Sequence, residues 1–255
     1  MNRKPGYLKI FWLILLLAIF VSPAPAQQDR YEEQEETLSP QARQHFDQGT
    51  RLEQNGQYEE AVKAYREALR LEPDYAPAHH QLGLALAQLN RYPEAVQALK
   101  EAVRLQPQWG KAFENLGVAY AKQGHWTEAR DAFQEAVRRH PEDAETHYNL
   151  GLAYGKLMRD QEARAELAEA VRLQPDYAKA HKQLGMAYFN LGRMDEAGKA
   201  LKEAVRLAPT DAQAHYALCL YYARTGDVAA ANQEFKVLQG LDKDLAQQLA
   251  RLIKK

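Results

Sequence analysis

Five prolines recur at intervals of 34 residues, and this spacing is the feature that most constrains how the chain folds. They are Pro73, Pro107, Pro141, Pro175 and Pro209. A period of this length is typical of stacked supersecondary units, each of which packs only against its neighbours. The sequence therefore predicts a repeat protein over most of its 255 residues.

Small residues follow the same period. A glycine precedes each proline at a constant distance, at Gly49, Gly83, Gly117, Gly151 and Gly185. An alanine stands midway between each glycine and its proline, at Ala61, Ala95, Ala129, Ala163 and Ala197. Large apolar residues lie near both columns at spacings of three and four, which keeps one face of a helix apolar. The pattern therefore predicts two amphipathic helices in each repeat, and their small residues permit the helices to cross closely.

These columns resemble the tetratricopeptide repeat (TPR), a helix-turn-helix motif. In the third repeat the matching residues are Leu116, Gly117, Tyr120, Ala129, Phe133 and Pro141. Six repeats match, at 42–75, 76–109, 110–143, 144–177, 178–211 and 212–245. The resemblance implies an all-α fold, a right-handed α-solenoid of six helix pairs.

The leading Trp of the TPR pattern is replaced in every repeat. Histidine takes its place at His45, His79, His147, His181 and His215, and Phe113 takes it in the third repeat. Neighbours in such a column lie about 10 Å apart. That separation is too large for shared metal ligation. We expect these histidines to pack and to form hydrogen bonds within the helix pairs, and we predict no metal site.

Two further departures from the pattern concern single residues. Met158 stands where Gly56, Gly124 and Gly192 turn the chain between paired helices, so we expect an irregular turn in the fourth repeat. Cys219, the only cysteine, takes a glycine position in the sixth repeat. A lone cysteine forms no intramolecular disulfide, and a small buried residue is the expected role.

Residues 1–26 differ in composition from the rest. A basic start precedes an unbroken apolar run from Ile10 to Val21, and Ala24-Pro25-Ala26 supplies a cleavage pattern. We interpret this segment as a signal peptide, because the run is shorter than the roughly 20 residues of a spanning helix. The alternative is an uncleaved anchor through residues 10–21, which would give the only membrane contact. Both interpretations place the repeats outside the cytoplasm.

The repeats are flanked by two short segments. Residues 27–41 contain five acidic residues and one arginine, which predicts a solvated acidic linker. Residues 244–255 place Leu245, Leu249 and Leu252 on one helical face. This second segment predicts a C-terminal capping helix that covers the last repeat.

The charge of the chain gives no strong attraction to nucleic acid. Residues 1–26 contain three basic residues and no acidic ones, so their removal changes the net charge from −1 to −4. We therefore predict no nucleic-acid partner. The sequence leaves the oligomeric state open.

The sequence contains no constellation typical of an active site. The glutamates at the start of second helices suit the helix dipole, so they need no catalytic role. Phosphate-binding glycine loops and metal-binding Cys or His motifs are absent from the sequence. We predict a protein that is not an enzyme and has no cofactor.

In the TPR family, first helices line a concave groove that holds peptides or partner helices. Transferring the family's groove positions to repeats three to six gives six cations against Glu114 and Glu145, a net charge of +4. The predicted groove residues are Lys111, Lys122, Tyr148, Leu152, Lys156, Lys179, Lys182, Met186, Phe189, Tyr216, Leu220 and Arg224. This mixture favours an acidic peptide with a few apolar anchors. The alternative is that lysine on an exposed surface is incidental.

The resemblance and the export signal together imply a TPR protein of the bacterial cell envelope. We expect a non-catalytic scaffold that binds a protein or peptide partner, acidic in character, and supports assembly of an envelope complex. The alternative is an accessory module that recruits an enzyme of cell-envelope glycan or cofactor assembly.

Overall fold

The computed structural model describes residues 38–253. The predicted signal peptide and most of the predicted linker lie outside the described residues. Residues 38–253 form thirteen α-helices and no β-strand. In chain order the helices are α1 (Pro40–Gln54), α2 (Tyr58–Leu71), α3 (Ala76–Gln88), α4 (Tyr92–Leu105), α5 (Gly110–Lys122), α6 (Trp126–Arg139), α7 (Ala144–Lys156), α8 (Asp160–Leu173), α9 (Ala178–Asn190), α10 (Met194–Leu207), α11 (Ala212–Thr225), α12 (Val228–Leu241) and α13 (Lys243–Ile253).

The helices stack as six consecutive pairs, followed by α13. Each odd-numbered helix from α1 to α11 packs against the next helix in the chain, and each pair packs against the following pair. Successive odd-numbered helices, such as α3 and α5, also contact each other. Within residues 38–253, successive even-numbered helices do not make comparable contacts. The odd-numbered helices therefore line the inner surface of an all-α solenoid, and the predicted fold class is confirmed.

A glycine column sets the close crossing inside each pair. A Cβ atom added at Gly117 would lie 2.6 Å from Cδ1 of Phe133, so no larger residue fits between α5 and α6. Four other pairs repeat this distance, between Gly49 and Tyr65, Gly83 and Leu99, Gly151 and Leu167, and Gly185 and Leu201. The alanine column is buried at the same crossings. Small residues are therefore required at these positions, as predicted.

The first helix begins at Pro40, before the predicted repeat boundary at residue 42. The Ser39 side chain caps it by accepting a hydrogen bond from the backbone N–H of Ala42, at 3.4 Å. Proline fits the first helical position because the N–H that it lacks has no partner there. Residues 40 and 41, which the sequence assigned to the predicted linker of residues 27–41, therefore belong to α1.

The turn at Met158 follows the same path as the other turns, so the expected irregularity was wrong. Met158 has a φ of 59°, close to the 58° of Asn90 and the 73° of Gly56. The backbone hydrogen bond that closes the turn, from Arg159 N–H to the carbonyl of Tyr154, measures 2.9 Å, as does its equivalent at Arg91. Met158 therefore adopts the left-handed conformation in which glycine is the usual residue.

The histidine column joins successive repeats. In four repeats Nε2 lies within hydrogen-bond distance of the carbonyl oxygen of the proline in the preceding turn. The pairs are His79 with Pro73 (2.8 Å), His147 with Pro141 (3.1 Å), His181 with Pro175 (2.9 Å) and His215 with Pro209 (3.0 Å). The imidazole ties the turn between repeats to the helix that follows it. The prediction of bonding within the helix pair missed this contact.

Two of these histidines also bond within their own helix pair. Nδ1 of His147 lies 2.7 Å from Glu166, and Nδ1 of His215 lies 2.6 Å from Glu234. The hydrogen bond with Glu166 raises the pKa of His147. None of the residues 38–253 form a cluster of ligands suited to a metal ion.

In the third repeat an arginine substitutes for the missing histidine. Phe113 has no donor for the carbonyl of Pro107, and Nε of Arg139 donates to that oxygen at 2.5 Å. The guanidinium of Arg139 also lies over the Phe113 ring, 4.3 Å from its centroid. The other repeats have leucine at the position of Arg139. Phe113 and Arg139 therefore act as a matched pair.

The last helix covers the end of the solenoid, as predicted. Leu249 and Ala246 of α13 are buried against Leu238 and Cys219. Cys219 is buried as expected, and burial raises the pKa of its thiol to about 11. Within residues 38–253, no helix combines the length and the apolar character needed to cross a membrane.

Candidate binding groove

The twelve predicted groove residues all lie on α5, α7, α9 and α11, the helices of the inner surface. Their apolar members are half-buried, namely Tyr148, Leu152, Met186, Phe189, Tyr216 and Leu220. Five of their six cations are exposed, namely Lys111, Lys122, Lys156, Lys179 and Arg224. The sixth, Lys182, is half-buried. An apolar floor bordered by cations therefore runs along these four helices.

Lys111 is neutralised by a carboxylate on its own helix. Its Nζ lies 2.7 Å from Oε2 of Glu114, whose side chain is only 5% exposed. Burial raises the pKa of Glu114, and the carboxylates of Asp143 and Glu145 act in the same direction. The pair lines a cavity of about 850 Å³ beside the turn at residues 140–143. Because Lys111 forms an ion pair with Glu114, it adds little positive charge to the groove.

Lys182 is neutralised by a residue of the next turn. Its Nζ lies 2.6 Å from Oδ2 of Asp211, and its side chain is only 14% exposed. Burial alone would raise the pKa of Asp211, but the hydrogen bond with Lys182 lowers it. Asp211 also caps α11 by accepting from the backbone N–H of Gln213. Lys182 is therefore held in a structural ion pair.

The remaining cations have no ion-pair partner among residues 38–253. Lys122, Lys156, Lys179 and Arg224 form no salt bridge there. Lys156 lies over Trp126 (5.8 Å to the ring centroid), and the Arg224 guanidinium lies over Phe189 (5.4 Å). These four side chains carry the positive charge available to a ligand.

Sequence reasoning missed the last residue of each repeat. Counting Asp143 and Asp211 with the groove lowers its net charge from +4 to +2. Other repeats place aromatic residues at the same position, and they stack on the fifth residue of their own repeat. The stacked pairs are Phe46 with Tyr75 (5.1 Å), His80 with Trp109 (4.3 Å) and Tyr148 with Tyr177 (5.0 Å between ring centroids). An aspartate directly before a helix was the available signal, because such residues commonly cap helices.

The aromatic pairs place stacked rings at the junctions between repeats, and the pair of Tyr148 and Tyr177 lies beside the predicted groove residues. Burial, with the nearby Tyr148, raises the pKa of Tyr177 to about 12, so its hydroxyl stays neutral. At the far end, Tyr216 and Leu220 pack against the cluster that α13 completes. The capping helix therefore supports the last part of the groove as well as covering the core.

A second cavity, of about 330 Å³, opens on the inner surface between α3 and α5. Its lining includes Leu84, Asn115, Val118 and Lys122. Only Lys122 of these four was among the predicted groove residues. The cavity lies at the junction of the second and third repeats, and Lys122 is the one residue of its lining that was predicted to belong to the groove.

One protein family matches almost the whole chain. Its description is Cilia and flagella-associated protein 70 C-terminal domain, and the match covers residues 23–251. No curated protein matches the chain.

Solved structures of TPR proteins are similar to this chain. The crystal structure of MamA has 26% sequence identity and a TM-score of 0.61, and the match covers 65% of this chain and 96% of MamA. YrrB, a TPR protein with an unusual peptide-binding site, has 24% identity and a TM-score of 0.64, over 74% of this chain and 99% of YrrB. PilF from Pseudomonas aeruginosa has 18% identity and a TM-score of 0.69, over 82% and 96% of the two chains.

Proposed function

The chain belongs to the tetratricopeptide-repeat family described as the Cilia and flagella-associated protein 70 C-terminal domain, and we propose that it is a non-catalytic scaffold whose inner groove binds a protein or peptide partner. The observation that carries the proposal is the combination, on one surface, of half-buried apolar side chains and four cations that form no salt bridge within the described part of the chain. YrrB has a peptide-binding site, so this fold is able to hold a peptide.

We propose that the bound segment is acidic. Lys122, Lys156, Lys179 and Arg224, which have no ion-pair partner among residues 38–253, give the groove a sign opposite to that of the whole protein. Such complementarity speeds encounter and selects among partners, while burial of apolar side chains supplies most of the affinity. Lys111 and Lys182 have structural partners, so their contribution to attraction is small.

We also propose that the protein is exported and supports the assembly of an envelope complex. Its support is the sequence of residues 1–26, where a basic start, a short apolar run and Ala24-Pro25-Ala26 follow one another. Intact-mass measurement of the protein from an envelope fraction tests this part. A mature N-terminus at Gln27 would support export with cleavage, and retention of residues 1–26 would replace it with a membrane anchor.

Affinity capture with matched baits tests the binding face. The baits are the wild type, the groove variant Lys156→Glu/Lys179→Glu, and the control Lys63→Glu/Lys236→Glu. The control changes two exposed lysines on the even-numbered helices α2 and α12 by the same amount of charge. We expect the wild type and the control to retain the same acidic protein from an envelope extract, and the groove variant to lose it. Equal retention by all three baits would overturn the proposed groove.

A further inference from the structure

We propose that the 330 Å³ cavity between α3 and α5 is an anchor site that receives one apolar side chain of a partner, next to an acidic residue that pairs with Lys122. This inference rests on the proposed function for the wider groove, and it specifies a short chemical motif that the groove takes. The motif is an aliphatic or aromatic residue with an adjacent Asp or Glu.

The lining of the cavity suits an apolar side chain. Leu99 and Ala119 form its buried floor, at 1% and 2% exposure. Leu84, Ala87 and Val118 form half-buried walls that face the groove. The volume lies at the lower end of the range for ligand pockets, about 300–1,000 Å³. The cavity therefore has room for one large side chain.

The cavity is open because Lys122 behaves differently from its equivalents. One repeat further on, Lys156 covers Trp126, and in the next repeat the Asn190 side chain donates to Asp160 at 2.9 Å. In both cases the residue at this position closes the junction to the preceding repeat. Lys122 makes neither kind of contact with Tyr92, whose hydroxyl donates instead to Oδ1 of Asn90 at 2.8 Å. An exposed ammonium group that has no ion-pair partner between residues 38 and 253 thus lies beside the apolar lining of the cavity.

Asn115 adds a hydrogen-bonding group with a fixed orientation. Its Nδ2 donates to Nε2 of His80 at 2.8 Å. Burial lowers the pKa of His80 to about 4, so the imidazole is neutral at pH 7 and is able to accept this bond. Asn115 lines the cavity, and because Nδ2 is used in the bond with His80, its Oδ1 is the acceptor that we expect a backbone N–H of the bound segment to reach. His80, which also stacks on Trp109, is the positioning residue for this amide.

Capped dipeptides are the probes for this site. Methyl-labelled full-length protein is titrated with N-acetyl-Leu-Asp-amide, followed by NMR of the Leu, Val and Ala methyl groups. N-acetyl-Ser-Asp-amide lacks the anchor, and N-acetyl-Leu-Lys-amide reverses the adjacent charge. We expect saturable shifts centred on Leu84 and Val118 with the first probe. The affinity should be at least several-fold weaker with each of the other two, because one lacks buried area and the other meets Lys122 as a like charge.

Two variants and one matched control complete the test. Ala87→Leu fills the cavity and should abolish the shifts, whereas Ala121→Leu makes the same change at the equivalent position one repeat later and should preserve them. Lys122→Glu changes an exposed residue, so the fold is preserved, and it should reverse the preference between the Asp and Lys probes. Shifts that persist in Ala87→Leu, or that spread over the whole groove, would overturn the anchor site.

The two proposals fail in different ways. If the capture experiment depends on Lys156 and Lys179 while the dipeptides give no local shifts, the anchor site is wrong and the proposed function stands. If the dipeptides bind at Leu84 and Val118 but the Lys156→Glu/Lys179→Glu bait captures the partner as well as the wild type does, the acidic-partner proposal is wrong. The cavity is then an isolated binding site.

Discussion

Met158 holds a left-handed backbone conformation at the turn between α7 and α8, with its side chain 87% exposed. This conformation costs a residue with a Cβ about 1–2 kcal/mol. Nothing in the packing offsets that cost, because the side chain lies in solvent. We therefore expect Met158→Gly to stabilise the protein by about 1 kcal/mol, after allowance for the greater entropy of glycine in the unfolded chain.

Urea unfolding followed by circular dichroism measures this effect, and Asn90→Gly is the matched control. Asn90 has nearly the same φ, but asparagine tolerates the left-handed region, so its gain should be smaller. A Met158→Gly variant no more stable than the wild type would show that the turn is not strained.

The contact between His147 and Glu166 predicts a dependence of stability on pH. The hydrogen bond raises the folded pKa of His147 above its unfolded value of 6.5. Its stabilising effect is therefore full below about pH 6.5 and is lost as the pH rises through the folded pKa. We expect the wild type to lose more stability than Glu166→Gln between pH 6.5 and 8.5. Parallel curves of unfolding free energy against pH for the two proteins would contradict this assignment.

Replacement of glycine by alanine should have opposite effects at two inner-surface positions in different helix pairs. A Cβ at Gly117 would collide with Phe133, whereas a Cβ at Gly155 would meet no atom within 4 Å. Both residues lie on inner-surface helices, α5 and α7. We expect Gly117→Ala to destabilise the protein by about 1–3 kcal/mol through overpacking, and Gly155→Ala to stabilise it by about 0.5–1 kcal/mol. Urea melts check both, and equal effects would contradict the crossing described for α5 and α6.

Between repeats, Phe113 and Arg139 should behave as a coupled pair. Arg139→Leu alone leaves the Pro107 carbonyl without its donor and should cost about 1 kcal/mol. Phe113→His together with Arg139→Leu restores the arrangement found at His79 and should recover most of that loss. A double-mutant cycle of unfolding free energies measures the coupling, and additive effects would show that the two residues act independently.

The helix pairs were predictable from the sequence because the residues that produce them recur in every repeat. The glycine and alanine columns recur with the period of the prolines, so the helix pairs and their crossings followed directly from that period. The matched pair of Phe113 and Arg139 lay beyond that reasoning, since the bond from Arg139 to Pro107 joins residues of different repeats. Likewise, the start of α1 at Pro40 depends on a single cap and not on the repeat.

Over the whole molecule, the groove was only partly predictable. Family positions identified the inner surface, but they did not show which cations have partners. Lys182 and Asp211 lie far apart in the sequence and meet only through the packing of the helices, so the initial charge of +4 was too high. The cavity beside Lys122 was missed for a related reason. It exists because a side chain does not cover Tyr92, and side-chain orientation is absent from the sequence pattern.

Binding of an acidic partner in the inner groove is tested most sharply by surface-plasmon kinetics with the captured partner. Lys156→Glu/Lys179→Glu should lower the association rate constant and leave the dissociation rate constant nearly unchanged. Raised salt should slow association of the wild type in the same way, because salt screens the attraction between charges beyond about 8 Å at 0.15 M ionic strength. The control Lys63→Glu/Lys236→Glu should match the wild type. Unchanged rate constants in the groove variant, together with loss of binding in Arg130→Glu on α6, would contradict binding in the inner groove and place the partner on the outer face.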